Sequence, residues 1–135
     1  MARATRTFKL RLSPAGLEVL IASHCRLIQQ TRALIAWGTT LHVAVEHLAA
    51  CPLEQVTDGL RSVTDDGLAG SEEHHLGAPH RLGTMAAGII EHYCRSSGGS
   101  PAPTLGAIYL AALTQLVSGQ RGDILAAYDR VITSS

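Results

Sequence analysis

Aromatic side chains are scarce in this 135-residue chain: they make up 4% of it, with one Trp and one Phe. That scarcity excludes the aromatic-rich sheets on which bases stack in common RNA-recognition modules. Charged residues are also few, at 16%, too few for a long coiled coil. No apolar run reaches the roughly 18 residues of a membrane span; Leu105 to Val117 comes nearest and contains Gln115. The basic N-terminus lacks the continuous apolar core and small-residue cleavage site of a signal peptide, so a cytoplasmic protein without membrane contact is expected. Cys25, Cys51 and Cys94 are widely spaced and form no Cys-x-x-Cys pair. They are expected as buried free thiols, with a zinc site as the alternative.

Hydrophobic residues are plentiful, at 46%, and most are Ala, Leu, Val and Ile. Ala and Leu are strong helix formers. A chain of this length buries roughly two thirds of its unfolded surface, enough to fold without disulfides or metal. The expected fold is all-α: a single-domain bundle of about five helices over residues 1–135, preceded by a short basic strand or arm at 1–13.

That arm shows period two. Phe8, Leu10 and Leu12 alternate with Thr7, Lys9 and Arg11, as in a strand with one buried face. Ser13-Pro14 ends it and starts a helix, because serine caps and proline suits the first turn. Leu17, Leu20, Ile21, His24, Leu27, Ile28, Thr31, Leu34 and Ile35 follow helical spacing, which predicts a first helix to about Ala36. Gly38-Thr39-Thr40 is expected as a kink or break. Further helices are expected over residues 39–50, 52–63, 79–95, 104–118 and 123–132, the last capped by Asp123. The stretch 104–118 is apolar on most sides and is expected at the centre. Residues 64–78 are expected as a polar, acidic loop and 96–103 as a linker.

Net charge is zero, yet residues 1–35 carry a balance of +5 and the remainder −5. This asymmetry points to a basic face that meets an anion, or to one whose cations pair with acids elsewhere in the fold. The candidate phosphate contacts are Arg3, Arg6, Lys9, Arg11, Arg26 and Arg32. Contacts of that kind position a nucleic acid without reading its sequence and are strongly salt-dependent.

Seven histidines invite a metal reading. Glu72 and His75 have the spacing of a di-iron ligand pair, His42 and Glu46 lie one helical turn apart, and His74 and His80 are close by. Only one Glu-x-x-His occurs, however, and glycines flank it. The histidines are therefore expected to be solvated in the loop and hydrogen-bonded in the helices, with no cofactor. No nucleophile elbow, phosphate-cradling glycine loop or His-Glu-x-x-His is present, so no catalytic residue is assigned and the chain is not expected to be an enzyme.

Thr7-Phe8-Lys9-Leu10-Arg11-Leu12-Ser13-Pro14 resembles the opening of TnpB-type RNA-guided nucleases and their type V CRISPR relatives, and Cys25-Arg26-Leu27-Ile28-Gln29-Gln30 resembles the Cys-Arg segment that follows there. The resemblance covers about 30 residues. It implies a strand that grips guide RNA and helices of a recognition lobe. The chain is too short for the nuclease domain and lacks zinc-ribbon cysteine pairs, so nuclease activity is not implied. In size and class the chain is also similar to small helical subunits of multisubunit CRISPR effector complexes. The leading expectation is a non-enzymatic, RNA-associated subunit of a ribonucleoprotein. The alternatives are a helical protein–protein or homodimerisation module, built on the Ala/Leu/Gly-rich helices from Gly83 to Ala127, and a His-rich metal-binding bundle.

Overall fold

The computed structural model describes residues 5–98 and 101–134. The order of elements is β1 (Thr5–Leu12), α1 (Pro14–Thr31), α2 (Trp37–Ala50), α3 (Leu53–Asp65), β2 (Glu72–Pro79), α4 (Arg81–Ser97), α5 (Leu105–Ser118) and α6 (Arg121–Thr133). Among the described residues the fold is mainly helical, with six helices rather than about five. It is not purely α, because β1 and β2 form a two-stranded antiparallel sheet.

The alternation in β1 is realised as burial. Phe8, Leu10 and Leu12 enter the core while Lys9 and Arg11 face solvent. Ser13 then joins strand to helix: its Oγ accepts from the Gly16 amide at 3.0 Å and donates to the carbonyls of Gly67 and Leu68. One hydroxyl thus caps α1 and fastens the turn after α3 to the strand.

Helices α2 and α5 form the centre. Every residue from Leu41 to Leu48 is buried, and in α5 so are Ile108 through Leu113 and Leu116. Helix α5 packs against α1, α2, α3, α4 and β1; α2 packs against α1, α4, α5, α6 and β2. Glycines permit two close approaches at the central helices. A Cβ on Gly38 would lie 1.6 Å from the Gly77 carbonyl oxygen, and one on Gly59 would lie 3.0 Å from the Ala111 Cβ. Helix α2 therefore meets the backbone of β2 with no side chain between them.

Several boundaries differ from expectation. Residues 64–78 are not one loop, since β2 pairs with β1 from Glu72↔Leu12 to Pro79↔Thr5. Glu, His, Gly and Pro are poor strand formers, and here the partner edge overrides propensity. Helix α1 stops at Thr31, five residues short of the expected end, because Arg32 adopts the left-handed region (φ 57°) and its amide bonds the Ile28 carbonyl at 2.7 Å. Leu34, expected on the inward stripe, is wholly exposed. The break therefore precedes Gly38, which lies inside α2. Ser96 and Ser97 belong to α4, and Gly98 closes that helix with a positive φ. Asp123 lies in the first turn of α6 and is not its cap; that position is Gln120. Among the thiols Cys25 is exposed, while Cys51 and Cys94 are half-buried.

Candidate nucleic-acid interface

The structure separates the five candidate cations that it describes. Arg3 lies outside the described residues. Arg6 shares the parity of Phe8, not of Lys9. Its guanidinium sits 5.4 Å above the Phe8 ring, a cation–π contact on the other side of the strand. Arg26 donates to the Gly119 carbonyl at the end of α5, so it fastens α1 to the α5–α6 junction. Arg32 is exposed at the far end of α1, roughly 27 Å along the helix axis from Pro14.

Lys9 and Arg11 are brought together. Both project from the outer face of β1 and share Glu73 of β2, at 3.7 and 3.2 Å. All three side chains are about half exposed, so these pairs are weak and screened by salt. The two cations also line a cleft of about 360 Å³ whose opposite wall is the start of α5: Thr104, Gly106 and Ala107, over Val63 and Leu110. Thr104 caps that helix. Its Oγ1 accepts from the Ala107 amide and its carbonyl from the Ile108 amide, each at 3.1 Å. The amides of Leu105 and Gly106 are left without an acceptor among the described residues. A helix N-terminus with free amides favours an anion. No acidic residue lines this cleft.

The histidines divide by burial. His75, His80 and His92 are exposed, and His74 is half-buried beside Glu72 at 3.1 Å. His24 is buried, with Nδ1 2.7 Å from the Thr40 hydroxyl and its ring stacked on Trp37 at 3.8 Å. His47 is buried beside Cys51, with Nδ1 3.9 Å from the sulfur. Burial holds both His24 and His47 below the ordinary imidazole value, and it pushes the Cys51 thiol up. A neutral imidazole beside a neutral thiol is the opposite of an activated nucleophile pair. Among the described residues, no three His, Cys, Asp or Glu side chains are grouped to hold a metal ion.

Sequence reasoning missed two features. Glu46, noted only as a partner in spacing to His42, is buried and receives Arg130 Nε at 3.1 Å and Arg81 at 3.4 Å. It ties α4 and α6 to α2. The start of α5 falls where the sequence placed it, but Thr104 as its cap was missed, although a threonine ahead of an apolar run is the signal for one; the position of that terminus beside β1 is tertiary. No helix among the described residues is long and apolar enough to cross a membrane. Comparison with protein-family models, characterised proteins and solved structures finds no match to this chain.

Proposed function

We propose that this chain is a non-enzymatic helical subunit that contacts the phosphate backbone of RNA through Lys9, Arg11 and the N-terminus of α5. The observation that carries this reading is the cleft lined by two strand cations together with the first residues of α5, with no acid among its described lining residues. A phosphate placed there exchanges water for charge-assisted hydrogen bonds from both walls. Glu73 holds the two cations when the cleft is empty and is displaced from them when it fills. The apolar floor of Val63 and Leu110 offers no hydrogen-bonding group to a base edge, so the contact is to backbone and not to sequence. The likeness of Thr7–Pro14 to the guide-RNA-gripping strand of RNA-guided nucleases supports the same assignment, and a place in a CRISPR effector complex extends it.

Filter binding of a structured RNA tests it. The wild-type chain retains RNA at low salt and loses it as salt rises. A Lys9→Ala/Arg11→Ala variant retains markedly less, with an unchanged circular-dichroism spectrum. Equal retention by the two proteins contradicts the proposal.

A further inference from the structure

The outer face of α1 is unusual for a surface that meets only water. Its exposed residues include Glu18, Ile21, Ala22, Cys25 and Gln29, and Arg32 follows at the cap. Positions 18, 22, 25, 29 and 32 advance by four, three, four and three, the spacing of a seam along which one helix packs on another. The middle of that seam is uncharged: Ala22, Cys25 and Gln29. The seam's only charges are an acid near one end and a base at the other, and neither makes an ion pair among the described residues.

The seam continues into an apolar region. Ile21 is 39% exposed, Trp37 43% and Leu34 100%. Leu34 is not on a loose tail: the Arg32 amide bonds Ile28, and the Thr31 hydroxyl accepts from the Ala33 amide at 3.3 Å. Leu17, Leu20, Ile21, Trp37 and Leu76 line a cleft of about 320 Å³ together with His74 and His75. Ile21 and Trp37 thus lie on the wall of one largely apolar cleft. Exposed apolar surface of this kind marks an interaction site.

We propose that this face binds a second copy of the chain, with the two α1 helices antiparallel about a two-fold axis at Cys25. Charge order selects this occupant. Residues 18 and 32 are equidistant from 25, so the two-fold places Glu18 of each copy opposite Arg32 of the other, twice over. A parallel pairing would set Glu18 on Glu18 and Arg32 on Arg32. An isologous interface requires this self-complementarity: opposite charges at mirrored positions of one patch. The surface is separate from the Lys9–Arg11 cleft and does not depend on RNA.

Sedimentation equilibrium of the full chain tests the proposal. At high micromolar concentration the wild type is a dimer of the 14.3 kDa chain. Glu18→Arg and Arg32→Glu each weaken the dimer about tenfold by opposing like charges, and the double swap restores it. A short bis-maleimide crosslinks Cys51→Ser/Cys94→Ser chains through Cys25 and fails on Cys25→Ser. Circular dichroism confirms that each variant is folded. A wild type that remains monomeric, a double swap no tighter than the single variants, or crosslinking that persists without Cys25 overturns the proposal.

Discussion

Strand β1 and helix α1 meet at Ser13, and each sends one face into the same core. Their outer faces differ. That of β1 carries Lys9 and Arg11, held only by the exposed carboxylate of Glu73. That of α1 carries Ile21, Ala22 and Cys25 between one acid and one base. The inner faces show how the fold is held, and both do it by burying leucine. The outer faces show what the fold leaves over: on the strand, charge suited to an anion; on the helix, apolar surface and mirrored charge suited to a copy of itself. The core-building pattern of a segment is thus silent about its partner, and the residues the core does not use carry that information.

The largest effect expected lies on the inner face of β1. Leu10 is almost wholly buried, so Leu10→Ala lowers unfolding free energy by about 2–5 kcal/mol. Lys9→Ala, one residue away, changes it by less than about 0.5 kcal/mol. Urea denaturation of the two variants measures both, and comparable losses would erase the distinction between the faces.

A smaller effect separates strand from helix by pH. Burial depresses His24, under Trp37 on α1, and His47, which Asp123 pulls up and Arg130 pushes down. A depressed histidine binds fewer protons folded than unfolded. Stability is therefore greatest above the ordinary value of 6.5 and falls as pH drops below it. Denaturation midpoints on either side of that pH should show this loss. His24→Gln should flatten the dependence, and Lys9→Ala should leave it unchanged.

The smallest effect sharpens the reading of the outer strand face. Glu73 competes with any anion for Lys9 and Arg11. Glu73→Gln should tighten RNA retention about twofold to fivefold, the range for an exposed ion pair, while stability stays within about 0.5 kcal/mol of the wild type.

Much of this architecture was legible in the residue order. Alternation in 7–12 revealed the buried face of β1, and apolar residues on most sides of 104–118 revealed the central helix. Ser13-Pro14 marked the strand-to-helix junction. What was hidden is tertiary. β2 was illegible because Glu72 to Pro79 has little strand propensity and is held by a partner some 60 residues away. The end of α1 was illegible because helical spacing runs on through Leu34, whereas the left-handed Arg32 stops it. The described cations that cluster in sequence do not cluster in space: Arg6 lies over Phe8, Arg26 holds Gly119, and among the described ones Lys9 and Arg11 share a surface. The second wall of their cleft comes from a helix that starts near residue 104, which no local pattern could place beside them.

The salt dependence of RNA affinity tests the strand-face contact most directly. Anisotropy titrations of a labelled structured RNA across a salt series give the slope of log affinity against log salt. Two phosphate contacts contribute about one to two units of that slope. The Lys9→Ala/Arg11→Ala variant should therefore bind more weakly at low salt and show a slope shallower by that amount. An identical slope and affinity in wild type and variant would contradict the assignment of this face to the phosphate backbone.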